Sequence, residues 1–407
     1  MLEFFKKVID LSFWFKVIVL FSYIYEFVPK GMPPIMSSRK ISFCLILVYF
    51  IIKKGNFVKY FRVPYFSRIL YLCIICIAYI LFLGIFVQGH GVSILSWYIF
   101  FLLYGIICIP LFVCFFDGDI EKFLLALGFV TLLQSIWCIL TYFIFDIRIL
   151  NDVLFEVDED ENISFLTTSR LRSIGGAGSG LSVIIALSSF SYCYFIIKNE
   201  RVIFNLILLA VACFAVMLVG TVGLIICSVL VVFLFFIVIK QKNGLITEIC
   251  LIASLYGFFF ITDNYLSDYE YDKLTYKFVN FFTRGTDEDT MVRLQEQKIS
   301  PINSETLIGT GISRGIAKGG SVCFHDGGYY RNYFGIGLLM AFVFYSVVYY
   351  TMFKMAGRLN NDYTKKLLLL YLFIMIIIEY KEPYFFKYSP FMIFFMLFLA
   401  SKNFKRL

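Results

Sequence analysis

Only two histidines occur in the chain of 407 residues, and one of them opens the cluster His325-Asp-Gly-Gly-Tyr-Tyr-Arg-Asn332. An imidazole can take or give a proton near neutral pH. Here the acid Asp326, the tyrosines Tyr329 and Tyr330 and the cation Arg331 follow it closely. Leu307-Ile-Gly-Thr-Gly311 reads as a tight turn upstream, followed by Gly319-Gly320. Before that turn, Thr286 and Asp289 have the spacing of a capping box that opens a helix running to about Ser300, ahead of Pro301. Asp289, Arg293 and Gln297 share one face of that helix, Glu296 lies beside it, and Arg284 precedes it. A surface helix with an ion pair explains this pattern; so does a face that presents a cation to an anion. The other histidine, His90, lies in Gln88-Gly-His-Gly91 and reads as incidental.

A second cationic stretch is Arg170-Leu-Arg172-Ser-Ile-Gly-Gly-Ala-Gly-Ser-Gly180, two arginines at the mouth of a glycine-rich apolar run. Gly176 and Gly180 form a GxxxG pair suited to helix packing. The same stretch suits an anion site, because a helix N-terminus offers free N–H groups and a positive dipole end. Arg172 would add a bidentate partner. Packing explains the glycines without the arginines, and both readings stand. Glu156-Val-Asp-Glu-Asp-Glu161 could hold a divalent cation, although a solvated charge run is the simpler account. Cys73-Ile-Ile-Cys76 has metal or redox spacing but no histidine or acid nearby, so it reads as packing. Cys323 is the lone loop cysteine among eleven, and no disulfide is expected.

The elements that must position these residues follow from composition. Sixty per cent of the chain is hydrophobic, 16% is charged, and the mean hydropathy is +0.85. A soluble domain is less apolar and more charged, and a disordered chain much more so, which excludes both. Apolar runs long enough for spans lie near 8–28, 41–52, 69–87, 94–116, 123–145, 174–197, 202–219, 222–239, 245–262, 333–352, 367–379 and 389–400. They are continuous rather than alternating, so they are helices and not barrel strands. The run 202–239 must be a hairpin, turning at Gly220-Thr221-Val222-Gly223. With both termini inside, inner segments carry more than twice the Lys and Arg of the short outer loops, led by Lys53, Lys54, Lys59, Arg62 and Arg68. The functional stretches then fall in two outer loops, 146–173 and 263–332. Neither a cleavable signal peptide nor an internal repeat is apparent. Lys16, Glu26, Glu248 and Glu379 are the main ionisable residues of the spans, each near a helix end where snorkelling is cheap. Their scarcity argues against an ion-coupled transporter. The expected fold is one all-α polytopic membrane domain over 1–407, with about twelve transmembrane helices.

These residues resemble the bacterial O-antigen and capsule repeat-unit polymerases and the related O-antigen ligases. Arg172-Ser-Ile-Gly175 is similar to the Arg-x-x-Gly that opens a span in that family. Arg293 followed by Leu307-Ile-Gly-Thr-Gly311 is similar to its Arg…(I/L)-G-x-G stretch. His325-Asp-Gly-Gly-Tyr-Tyr-Arg331 with Gly335-Ile-Gly337 resembles the histidine segment leading into the next span. The chain departs at Val222, where arginine is common, at Glu296 or Gln297, where tryptophan is frequent, and at Asp326 in place of asparagine. The likeness covers about 165–350 in sequence and the whole chain in layout.

The resemblance implies a glycosyltransferase C-like fold in the bacterial inner membrane, acting on sugar chains carried by undecaprenyl diphosphate at the outer face. The growing chain would pass from its lipid diphosphate to a hydroxyl of the next lipid-linked repeat. Arg172 and Arg293 would hold the diphosphate, with Arg170, Arg284 and Arg331 as further contacts. His325 would take the hydroxyl proton, and Asp326 would orient it or replace it. Tyr329 and Tyr330 would stack on sugars, or simply belong to an interfacial belt. No histidine or cysteine metal-ligand spacing is visible in the two outer loops, so the expected site is metal-independent, inverting and without a cofactor. Expected partners are the lipid-linked oligosaccharide, the bilayer, a flippase and a chain-length regulator, with no nucleic acid. Competing readings are an O-antigen ligase, a lipid-linked oligosaccharide flippase or other transporter, and an assembly protein.

Overall fold

The computed structural model describes residues 10–55, 64–87, 90–156, 171–238 and 298–401. Of these, 76% are helical. In chain order the helices are α1 (Leu11–Ile24), α2 (Ser38–Ile52), α3 (Pro64–Phe86), α4 (Leu95–Phe115), α5 (Ile120–Phe143), α6 (Phe145–Leu154), α7 (Gly178–Ile197), α8 (Val202–Val219) and α9 (Thr221–Val238). They continue as α10 (Ser304–Ile308), α11 (Gly328–Ile336), α12 (Leu338–Gly357), α13 (Asp362–Lys381) and α14 (Ser389–Ser401). Two small antiparallel hairpins pair β1 (Arg172–Ser173) with β2 (Gly176–Ala177) and β3 (Gly315–Ile316) with β4 (Val322–Cys323).

Helices occupy every expected span except 245–262, which lies outside the described residues. Six of them, α3, α4, α5, α7, α8 and α12, are long and apolar enough to cross a membrane; α1, α9 and α14 are shorter apolar helices. Ile75, Phe82 and Ile85 of α3 and Leu339, Phe342 and Phe353 of α12 point outward. Such faces would drive aggregation in water and cost nothing in hydrocarbon. Polar residues mark the helix starts. Asp10 caps α1 by accepting from Ser12 N (3.0 Å), and Asp119 caps α5 by accepting from Lys122 N (2.9 Å). Asn361 does the same for α13 at Tyr363 N (2.9 Å).

The chain divides into two units, described separately. The first comprises residues from 1–54 and 112–279 and holds α1, α2, α5 to α9 and the β1–β2 hairpin. Its most enclosed helix is α7, which begins with small residues and packs on α5, α8 and α9. Tyr192 of α7 donates its hydroxyl to Gly128 O of α5 (2.6 Å). The chain breaks between α8 and α9 at Gly220, where the expected hairpin turn lies. A Cβ on Gly223 would overlap the Ser182 carbonyl of α7, so α9 touches α7 backbone to backbone.

Three sequence expectations change. The span expected from 174 starts at Gly178, because Gly175 and Gly176 adopt φ of +80° and +127° and turn the chain between β1 and β2. Those angles are incompatible with a right-handed helix, so Gly176 and Gly180 do not form a helical GxxxG face. The expected snorkelling also gives way to internal pairing. Lys16 is buried against Asp117 (2.6 Å), and Glu26 pairs with the buried Arg39 (2.6 Å). Glu379 is fully buried, and Glu248 lies outside the described residues. Finally, the helix expected to reach Ser300 does not include 298–300, and the rest of it lies outside the described residues. Residues 298–300 are extended, with Ile299 bridged to Cys323 and Ser300 N donating to Val322 O (2.8 Å).

The second unit, from 55–111 and 280–407, holds α3, α10 to α14 and the β3–β4 hairpin. It also holds most of α4, including a π-helical stretch at Phe101–Ile107. Tyr98, Phe101, Phe344 and Phe386 interlock there, with ring centroids 5.2 to 6.2 Å apart.

Gly223→Ala should lower stability by about 1–3 kcal/mol, the usual cost of forcing extra volume into a packed contact. Gly357→Ala, where a Cβ meets nothing within 4 Å, should be near neutral. Thermal unfolding of the two purified variants in detergent tests the contrast; equal midpoints would contradict it.

Candidate functional site

The residues singled out around His325 lie in a small subdomain of the second unit, between residues 298 and 337. Residues 298–300 align beside β4, and Phe324 N donates to Lys298 O (2.8 Å). Ala317, Cys323 and Phe334 form its apolar centre, with Ile299 and Ile312 against them. Cys323 is therefore a packing residue, and burial raises its thiol pKa. The capping box here belongs to α10: Asn303 accepts from Thr306 N (2.8 Å) and Thr306 Oγ1 accepts from Asn303 N (2.9 Å). Glu305 then ties down the hairpin turn by accepting from Gly319 N (3.0 Å) and Ser321 N (3.3 Å).

Two short glycine motifs that are separate in sequence join in space. Thr310 N donates to Phe334 O and Gly311 N to Gly335 O, each at 2.9 Å. On its other side the Leu307–Gly311 turn receives Gly91 N at Thr310 O (2.9 Å) and Ile94 N at Gly311 O (3.0 Å). A Cβ on Gly311 would overlap the Gly91 oxygen, so glycine is required there. His90, read as incidental, packs against this same turn.

The segment Phe324–Gly327 runs from β4 to α11 and carries the chemistry. A Cβ on Gly327 would overlap Tyr380 O, and one on Gly328 would overlap Glu379 Oε1. The glycine pair therefore lets the segment lie against the end of α13. Gly327 N donates to His325 Nδ1 (2.9 Å), which requires that nitrogen to be unprotonated. The neutral ring then carries its proton on Nε2 and presents a donor rather than a base. Tyr330 covers one face of the imidazole, with ring centroids 3.9 Å apart. Burial lowers the His325 pKa, and the Asp326 charge works against that shift.

Asp326 Oδ1 stands 3.5 Å from Arg314 Nη1, and both side chains are about half exposed. Arg331 stands over the Trp97 ring, its guanidinium carbon 4.6 Å from the centroid. Its Nε is buried without a hydrogen-bond partner among the described residues. Burial, with Arg314 nearby, depresses the Arg331 pKa. The cluster thus holds two guanidinium groups, Arg331 partly buried and Arg314 half exposed, within charge range of Asp326 and of Glu382, which is itself paired with Lys387 (2.7 Å). Such an arrangement favours an anion. Tyr329 faces away from it: its hydroxyl donates to Ile376 O (2.8 Å) and meets the Tyr349 hydroxyl (2.6 Å).

Arg172 belongs to the first unit. It lies on β1, 6% exposed, with Nη2 donating to Glu156 O (3.4 Å). Gln134 of α5 supports the same hairpin by donating to Ile174 O (2.8 Å). Glu156 of the acidic run accepts from Gly31 N (2.7 Å); the rest of that run, with Arg170, Arg284 and Arg293, lies outside the described residues. The sequence reading missed Arg314, Trp97 and Glu379. Arg314 carried a signal, as an arginine just after a Gly-x-Gly turn. Trp97 and Glu379 carried none, because only the tertiary packing places them here.

Comparison with family models, with curated proteins and with solved structures finds no match for the chain.

The two histidines make His325 directly observable. In the full chain labelled with 15N-histidine and assigned with His90→Gln, the His325 ring should be neutral at pH 7 with its proton on Nε2. Its folded pKa lies below the ordinary value of about 6.5. The unfolded chain therefore binds the proton first as pH falls. The stabilisation is complete above about pH 6.5 and fades as pH drops through the lower folded value. A proton found on Nδ1, or a midpoint above the ordinary value, would contradict this arrangement.

Proposed function

We propose that the chain is a membrane glycosyltransferase that polymerises lipid-linked repeat units, taking the growing sugar chain from a lipid diphosphate. The observation that carries this reading is Arg331, a partly buried guanidinium held on Trp97 with Nε unpaired among the described residues and with Arg314 among its charged neighbours. A leaving diphosphate gathers negative charge as its bond to the anomeric carbon breaks, and fixed cations lower that barrier. Membrane-crossing helices next to this cluster suit a donor whose lipid tail stays in the bilayer. The resemblance noted in the sequence points to the same chemistry and to the outer face of a bacterial inner membrane.

In the proposed step the acceptor hydroxyl oxygen bonds to the anomeric carbon from the face opposite the diphosphate. The C–O bond to diphosphate breaks, and the leaving group departs with the electron pair. Arg331 and Arg314 take its charge, and His325 donates a hydrogen bond through Nε2. The hydroxyl proton passes to Asp326, since His325 Nδ1 already accepts from Gly327 N. Of the two bases expected from the sequence, this takes Asp326, the alternative to His325. The configuration inverts because no covalent intermediate is formed. The resemblance gives Arg172 and Arg293 diphosphate contacts as well. Tyr330 keeps a face towards His325, while Tyr329 serves as an anchor.

Transport is the alternative from another class. It would draw on the buried ionisable groups Lys16 and Glu379, but both are engaged internally, Lys16 by Asp117 and Glu379 by Tyr345 and Phe385 N.

Arg331→Ala and Asp326→Asn should each reduce chain transfer on the order of 10²–10³-fold at normal expression, the scale for losing one charge-stabilising group. Arg331→Lys should not restore it, because an ammonium cannot bind in a fork. Transfer from purified lipid-linked oligosaccharide, read as a ladder on a gel, measures this. Full ladders in all three variants would refute the proposal, and single transfers to a lipid core acceptor would make the protein a ligase. Arg172→Ala and Arg293→Ala, read the same way, test the contacts drawn from the resemblance.

A further inference from the structure

Glu379 is a carboxyl group at this site that the proposed reaction does not use, and it is 0% exposed. It stands near the C-terminal end of α13, where the helix dipole disfavours a negative charge. Burying a carboxyl there costs free energy that leucine or methionine would not. Both oxygens are committed. Oε1 accepts from the Tyr345 hydroxyl of α12 (2.7 Å), and Oε2 accepts from Phe385 N of the 3₁₀ turn Tyr384–Lys387 (2.9 Å). Oε1 also packs so closely on Gly328 that no Cβ fits between them.

Gly328 is the first residue of α11, and its N-cap Gly327 has no side chain to cap the helix. The carboxyl group of α13 therefore stands at the N-terminal end of α11, where negative charge is favoured. The next residue, Tyr329, fastens α11 to α13 a second time through Ile376 O. The first turn of α11 is thus clamped at two points. His325 and Asp326 lie directly before the clamp, and Arg331 directly after it.

We propose that Glu379 is the positioning residue of the site: by fixing the first turn of α11 against α12, α13 and the turn at Phe385, it sets the His325 ring and the Arg331 guanidinium in their working geometry. The inference deepens the transferase reading and rests on it only for its activity readout. Glutamine at 379 would keep the volume but offer one acceptor oxygen for two donors. Tyr345→Phe would remove one donor and keep the ring.

The experiment uses the full chain in detergent or reconstituted membranes, with 15N-histidine as the structural probe and lipid-linked oligosaccharide as the substrate. In folded Glu379→Gln the His325 resonance and its titration midpoint should move, and turnover should fall about 10–100-fold with a smaller change in KM. Tyr345→Phe should move both in the same direction by less. Glu379→Asp, which keeps the carboxyl group but draws back from Gly328, should recover part of the loss. A merely structural role would lower the thermal midpoint and leave the His325 signal of the folded protein unchanged. That outcome, in Glu379→Gln or in Tyr345→Phe if the former does not fold, overturns the proposal whatever the rate. A moved His325 signal in a protein whose wild type transfers no sugar would leave the positioning role standing and reject the transferase reading.

Discussion

A chain that surrounds its helices with hydrocarbon must satisfy every peptide group and every charge from within, since no water is there to do so. The helices are the first consequence, and their caps the second. Asp10, Asp119 and Asn361 stand where α1, α5 and α13 begin, each accepting from a backbone N–H that the helix leaves unpaired. The charges obey the same demand. Lys16 meets Asp117 and the faces of Phe115 and Phe116, and Arg39 meets Glu26 and the carbonyls that end α1. Removing one partner of such a pair would strand the other, so these are constraints on the fold more than sources of stability.

Against that background the exceptions are informative. Arg331 is substantially buried, yet it has a tryptophan face and an unpaired Nε where Arg39 has a carboxylate. Its other charged neighbours include a second arginine, Arg314, and the exposed Asp326 that Arg314 already engages. Glu382, the remaining acid within range of Arg331, is itself paired with Lys387, and in the proposed function a ligand would supply the missing charge. That contrast within one chain, more than any single distance, gives the cluster its functional reading.

How much of this the sequence revealed depends on the range of the interaction. Helices follow from continuous apolar runs, so their existence was legible at α5, α8 and α9, and the break at Gly220 with them. Their ends were less so. Gly176 and Gly180 read as a helix-packing pair, because composition alone does not show that Gly175 and Gly176 take positive φ and build a hairpin under Arg172. His325, Asp326 and Arg331 were legible as types that could do chemistry, and they do share one segment. The hydrogen-bonding state of His325 was not, because its Nδ1 lone pair is claimed by a backbone N–H two residues on. Glu379 and Trp97 reach the cluster from distant helices, and no local pattern marks them.

The glycines show why motif and geometry need not coincide in sequence. Gly311 and Gly335 are separate motifs along the chain, yet they are hydrogen-bonded neighbours in the fold. Gly327 and Gly328 look like a flexible spacer, yet they mark where the chain passes flush against Tyr380 O and Glu379. Flexibility and close approach demand the same residue, but they have opposite consequences for a site. A flexible His325 would sample many orientations and stabilise no particular charge. Beside glycines pressed against α13, with its ring held by Gly327 N and Tyr330, it keeps one N–H available, which is the preorganisation that the proposed electrostatic catalysis would use.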